Sequence, residues 1–170
     1  MPNREIVFKT RWFGIEKIPF GNETPYYGIT MPEGVMVFAQ TTQNQIVLVK
    51  QWRPVLNRYT LEFPAGYIDE GECPADAAKR ELFEETGFRC GKVFSLCSGH
   101  LIMSRINSRL HGFWAPEVIK DVKFNNKEST EIVLVTKKEL RELILDGRFQ
   151  QLAAIALMQI KEWINAPNFR

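Results

Sequence analysis

The chain has 170 residues, 45% hydrophobic and 25% charged, enough to bury one sizeable core and too few for two. Its formal charge is only +2 and its cations are scattered, so the electrostatic footprint of a partner for polymeric nucleic acid is missing, while a small anionic ligand remains open. Cys73, Cys90 and Cys97 form neither an even disulfide framework nor a paired zinc spacing, and read as small hydrophobes in a reducing compartment. The polar start MPNREIVFKTRW and the short apolar run at 152–160 argue against a signal core or a membrane span, so a cytoplasmic protein is expected.

Residues 34–40 (GVMVFAQ) and 45–51 (QIVLVKQ) are β-branched and apolar, and the intervening TTQN has hairpin length, which predicts paired strands of a central sheet. Residues 60–63 and the segment around Gly66 are short and extended, because Pro64 biases Phe63 away from helix. Pro74 suits a first helical turn, Ala75, Ala77, Ala78, Leu82 and Phe83 favour helix, and Gly87 ends it, giving about three turns. Strands follow at 93–97, 110–115 and 132–135, separated by polar loops such as 120–127. Two helices, 137–145 and 151–164, close the sequence, with Gly147 between them. The expected architecture is a single α/β (α+β) domain over 1–170, a mixed β-sheet sandwiched between helices in an α/β/α arrangement.

The stretch at 66–88, GYIDEGECPADAAKRELFEETGF, crowds carboxylates onto one helix: Glu85 lies four residues after Glu81, and Glu84 three. Like charges at these spacings each cost roughly 0.2–0.5 kcal/mol, and acids in a last turn oppose the helix dipole. A solvated helix in which Arg80 pairs with Glu84 explains one pair. It leaves Glu81 and Glu85 together, where a hard divalent cation would bind and retain water for chemistry. Mg²⁺ is the simplest candidate and Mn²⁺ a substitute; with His100 and His111 as the two histidines, zinc is disfavoured.

Gly66, Glu72, Arg80, Glu81, Leu82, Glu84, Glu85, Gly87 and Phe88 fill a pattern that resembles the Nudix box without a gap. Its seven fixed identities would coincide by chance on the order of 10⁻⁸ per starting position. The resemblance implies the Nudix fold, with Glu81 and Glu85 as principal metal ligands, Glu84 as a further ligand or close helper, and the Ala65 carbonyl joining them. Arg80 and Glu72 would hold loop and helix together. The flank IVLVKQWRPVLNRYTLEFPAGYIDEGE is similar to the ADP-ribose pyrophosphatase branch, which implies that Arg53 reaches a substrate diphosphate with its planar fork. Glu62 would join the metal or substrate shell, or cap the neighbouring loop.

Downstream, Glu128-Ser-Thr-Glu131 and DGRFQQLAAIALMQI resemble the branch's Glu-x-x-Glu stretch and terminal helix. By that match Glu128 is the base that prepares the attacking water, with Glu131 in reserve; for either, a solvated loop acid is the plainer alternative. One departure stands out: Ser98-Gly99-His100-Leu101-Ile102-Met103-Ser104 lacks the proline of the branch's Ser-Pro-Gly stretch, which leaves room for other nucleoside diphosphate sugars. Residues 1–33 are expected to serve dimerisation and substrate contact. There Trp12, Phe13, Tyr26 and Tyr27 either stack on a base, across a homodimer as in relatives, or pack in core or interface. The expected activity is hydrolysis of a nucleotide-sugar diphosphate. The rival readings are a Nudix hydrolase of nucleoside triphosphates or dinucleoside polyphosphates, and a non-catalytic nucleotide-binding regulator, which would not need every box carboxylate.

Overall fold

A computed structural model describes residues 4–21, 24–125 and 131–165. In chain order the elements are β1 (Glu5–Lys9), β2 (Gly14–Ile18), β3 (Tyr26–Thr30), β4 (Gly34–Thr41), β5 (Ile46–Arg53), β6 (Arg58–Glu62), β7 (Ala65–Tyr67), α1 (Pro74–Thr86), β8 (Phe88–Arg89), β9 (Phe94–Gly99), β10 (Ile106–Asn107), β11 (Leu110–Lys120), β12 (Glu131–Val135), α2 (Lys137–Leu145) and α3 (Leu152–Asn165).

The central sheet is mixed. Its main path runs β12-β5-β4-β11-β8, with β6 on β5, β7 on β4 and β9 on β11; β4 and β11 pair in parallel, whereas β7 runs antiparallel to β4. Strand alternation divides the core into two layers. Val35, Val37 and Ala39 of β4 pack with Ala77, Ala78 and Leu82 of α1 on one face. Met36 and Phe38, one residue out of phase, pack with Leu140 and Leu143 of α2 and Leu157 of α3 on the other. The α/β/α sandwich expected from the element order is the one observed.

The helices end where their chemistry dictates. Pro74 opens α1 and Gly87, at φ 66°, closes it through a backbone N–H to the Phe83 carbonyl; a Cβ at residue 87 would also meet the Phe124 ring at 2.3 Å, so strain and space both require glycine. Thr136 caps α2 by accepting from the Glu139 N–H while the Glu139 carboxylate accepts from the Thr136 N–H, a reciprocal pair that satisfies two otherwise orphaned donors.

Two features lie beyond the sequence reading. β1, β2, β3 and β10 form a separate four-stranded sheet, whose edge strand β1 is exposed at every residue. β11 runs past the expected end at residue 115 to Lys120; its register on β4 shifts between Ala115 and Val118, where Glu117 takes φ 52°. That bulge absorbs Pro116, which has no N–H for the ladder. Cys73, Cys90 and Cys97 are free thiols, and burial pushes the Cys90 and Cys97 thiols up from their ordinary value, which suits inert packing residues. Among the described residues no helix is long and apolar enough to cross a membrane.

Candidate active site

The loop between β7 and α1 is held to the helix by one guanidinium. Arg80 donates from Nε and Nη2 to the two oxygens of Glu72 at 2.9 and 2.8 Å, from Nη2 to the Tyr67 carbonyl at 2.8 Å, and from Nη1 to Glu81 at 2.8 Å and Glu84 at 3.0 Å. The Glu72 hydrogen bonds and the neighbouring carboxylates push the Arg80 pKa further above its ordinary value, and Arg80 in turn holds the Glu72 carboxyl below the usual range. The expected pair of Arg80 with Glu84 is therefore present, but it is one strand of a larger clamp that fixes the helix against its loop.

Glu81 and Glu85 point toward β7. A Cβ on Gly66 would fall 2.1–2.2 Å from the atoms of the Glu81 carboxyl, so the bare backbone of Gly66 is what admits that carboxylate. Glu85 is only 6% exposed and one of its oxygens accepts from the Ala65 N–H at 3.0 Å. Ala65 thus meets the helix through its N–H, while its carbonyl is the group expected to face a cation. Glu84 is about half exposed.

Arg53 ends β5 and Glu62 ends β6, antiparallel neighbours joined at the turn after Arg53. Their side chains, each read separately in the sequence, meet each other: Arg53 donates from Nε and Nη2 to the two Glu62 oxygens at 2.7 and 2.5 Å. Thr60 adds a hydroxyl donor at 2.6 Å. Burial pushes the Glu62 carboxyl up, but the hydrogen bonds from Arg53 and Thr60 and the Arg53 charge outweigh it and hold it below the ordinary range. Gln151, just before α3, accepts from the Phe63 N–H at 2.8 Å and donates toward Glu62 at 3.4 Å, linking this pair to the far helix layer.

A cavity of about 400 Å³ is lined by Arg53, Glu62, Ala65, Gly66, Tyr67 and Gln151, among others. Sequence reasoning missed Tyr67 and Gln151: the first lies in the box without being one of its fixed positions, and the second is a polar residue before an apolar helix with no distinguishing spacing. Other expected site residues lie elsewhere. Glu131 is not on this cavity wall; it faces Lys50 across β12 and β5 and accepts from its ammonium at 2.7 Å. Trp12 and Phe13 sit at the turn between β1 and β2, with Arg11 over the Trp12 ring at 4.0 Å and Phe13 beside Phe8. Tyr26 donates its hydroxyl to the Ser104 carbonyl and Tyr27 is exposed. Glu128 lies outside the described residues.

The NUDIX domain model matches residues 30–159. The chain belongs to the Nudix hydrolase family. It is 30% identical over 156 residues to the ADP-ribose pyrophosphatase of Bacillus subtilis, covering 88% of this chain and 84% of the relative. It is 38% identical over 165 residues to the ADP-sugar pyrophosphatase of Mus musculus, covering 81% and 73%. A solved structure of an ADP compounds hydrolase superposes with a TM-score of 0.78 at 24% identity, over 99% of this chain and 95% of that one, which establishes the shared fold. The kinship falls on the branch that the flanks of the box resembled.

Nudix hydrolases generally use divalent metals, and the donor chemistry here fits one. Glu81, Glu84, Glu85 and the Ala65 carbonyl offer hard oxygens alone, the set that Mg²⁺ or Mn²⁺ takes, and Gly66 leaves room beside the Glu81 carboxylate. Among the described residues no three acidic, His or Cys side chains already converge on one point. Glu81 and Glu84 both accept from Arg80, and Glu85 accepts from the Ala65 N–H. His111 pairs with Glu33 at 2.8 Å and His100 contacts the Ser108 carbonyl at 2.9 Å, neither in a carboxylate cluster that zinc would choose.

Proposed function

We propose that this chain is a magnesium-dependent hydrolase of the diphosphate linkage in ADP-ribose or another nucleoside diphosphate sugar, releasing a nucleoside monophosphate and a sugar phosphate. One observation carries the reading. A single cavity brings the Gly66 backbone, against which Glu81 rests, together with the Arg53–Glu62 pair; oxygen donors for a cation and nitrogen donors for phosphate share a space of small-ligand size. The names of the two relatives point to the same class of substrate.

In this reading Glu81 and Glu85 hold Mg²⁺, for which Mn²⁺ can substitute, with Glu84 and the Ala65 carbonyl completing the protein's share. When bound, the cation neutralises diphosphate charge and makes water a better nucleophile. Arg53, whose Nε and Nη2 face Glu62, keeps Nη1 for a phosphoryl oxygen, and Glu62 holds that fork in place. Glu128 takes the proton of the attacking water; Glu131, already paired with Lys50, is the reserve. The amino-terminal segment makes a homodimer: Ile6, Val7, Phe8 and Trp12 are 47–53% exposed, an apolar surface that a second copy would cover. Through that contact Trp12 and Phe13 would reach the nucleotide in the other subunit. The substrate is a small molecule and the setting the cytoplasm, with no nucleic acid polymer or membrane involved.

The test is phosphate release after phosphatase coupling, with product identification, across ADP-ribose, ADP-glucose, GDP-mannose, UDP-glucose and nucleoside triphosphates. Preference for one of the sugars upholds the proposal. Preference for triphosphates overturns it in favour of the rival Nudix activity.

A further inference from the structure

Among the described residues, two guanidinium groups line the cavity, Arg53 and Arg109, and they differ in one respect. Arg53 is gripped on two of its nitrogens by Glu62, so its charge is compensated before any ligand arrives. Arg109 has no hydrogen bond or ion pair from its guanidinium to any described residue. Glu62 on the wall is paired with Arg53 and the adjoining Glu81 with Arg80, so Arg109 is the cavity-lining cation whose charge no described residue already offsets. A diphosphate needs an uncompensated cation there.

The backbone around Arg109 is well fixed. Its carbonyl accepts from the Gly34 N–H at 2.9 Å, and the neighbouring Ser108 hydroxyl donates to the Pro32 carbonyl at 2.7 Å. Arg109 directly precedes Leu110, which is opposite Gly34, and Gly34 is opposite Tyr67 on its other side. The residue therefore stands across β4 from the Gly66–Tyr67 backbone, at two strand spacings or roughly 10 Å. A long cation on a fixed base, lining the same cavity as the box backbone on the far side of β4, is placed to close on a ligand held in that cavity.

We propose that Arg109 is a binding residue for the diphosphate, its guanidinium docking on phosphoryl oxygens that the Arg53–Glu62 pair leaves unneutralised. This rests on the nucleoside diphosphate sugar reading and deepens it. It divides the labour of the two arginines: Arg53 is a rigid hydrogen-bond donor, and Arg109 supplies the charge. The alternative is a solvated arginine whose aliphatic stem merely covers the apolar wall at Leu101 and Ile106.

The experiment is titration calorimetry of wild type, Arg109→Ala, Arg109→Gln and Arg109→Lys with two probes, α,β-methylene ADP-ribose and phosphate-free adenosine, together with KM and kcat for ADP-ribose. The Gln variant keeps two of the three methylenes of the stem and serves if the Ala variant is unstable. Loss of a charge-assisted contact should weaken the methylene analogue and raise KM on the order of 10–100-fold, with partial recovery in Lys and adenosine affinity within twofold of wild type. kcat should change much less than KM. Analogue affinity within twofold of wild type in folded Ala or Gln variants overturns the inference. If wild type binds the analogue but cleaves no nucleoside diphosphate sugar, the substrate reading falls, while a selective loss of analogue binding in the variants still upholds Arg109. A wild type that neither binds nor cleaves overturns both.

Discussion

The loop–helix built from β7 and α1 and the amino-terminal sheet built from β1, β2, β3 and β10 solve opposite problems. In the first, polar side chains are brought inward and tied: Arg80 alone joins Glu72, Glu81, Glu84 and the Tyr67 carbonyl, and Glu85 is nearly buried against the Ala65 N–H. In the second, apolar side chains are turned outward, with Phe8 and Trp12 more than half exposed. Fixing carboxylates at high density is costly to a fold and is worthwhile where chemistry needs them. Exposed aromatics on an edge strand are worthwhile where another surface covers them. The contrast is the one that the proposed function uses, with chemistry in the first region and association in the second.

The strongest way to break that contrast is at the proposed base. Glu128→Gln should lower kcat by roughly 10²–10⁴-fold with Mg²⁺ dependence and substrate affinity largely intact, whereas Glu131→Gln should do less, since Glu131 is spent on Lys50. Steady-state kinetics at saturating substrate and metal decide it, and greater damage from the Glu131 variant would move the base to that residue.

A smaller effect separates Arg53 and Glu62 from surface pairs. Glu62 has a depressed folded-state pKa, so the folded state binds fewer protons than the unfolded one, and the pair's stabilisation is present above the unfolded value of about 4.3 and lost as pH falls through the lower folded value. Glu62→Gln should cost about 1–2 kcal/mol at pH 7, the low figure reflecting an Arg53 side chain still 42% exposed. In urea titrations the gap to wild type should shrink below about pH 4. A gap that is constant with pH would mean the pair contributes by packing alone.

The smallest effect on folding belongs to the amino-terminal sheet. Phe8→Glu should leave chemical stability within about 0.5 kcal/mol per chain yet shift light scattering from dimer to monomer. A wild type that is monomeric would return the exposed aromatics to some other partner.

How far these regions could be read in advance follows from the same contrast. β4, β5 and α1 were legible because burial imposes runs of β-branched residues, and because Pro74 and Gly87 mark the ends of the helix. The amino-terminal strands were not: β1 is exposed on both faces, so no inward–outward alternation is imposed on EIVFK, and β10 is a two-residue pairing with β3 made only by tertiary approach. The extension of β11 beyond residue 115 was not legible either, because it depends on the bulge at Glu117 that carries the strand past Pro116. In the site, the box identities named Glu81, Glu84 and Glu85, because their helical spacing is itself a local signal. The mutual grip of Arg53 and Glu62, nine residues apart, depends on how β5 turns into β6, and Arg109 belongs to no motif at all. Its relevance comes from β4 lying between β7 and β11, a fact of topology that single residues do not announce.

The central claim is that the carboxylates beside Gly66 are there for chemistry, and one substitution addresses it most directly. Glu85→Gln keeps the size of the side chain and an oxygen to accept from the Ala65 N–H, while removing the charge that would hold a cation. Turnover of ADP-ribose at limiting Mg²⁺ should fall by at least about 100-fold, the loss expected when several kcal/mol of metal-dependent stabilisation are removed, with a melting temperature within a few degrees of wild type. Near-normal turnover in that folded variant would contradict the account.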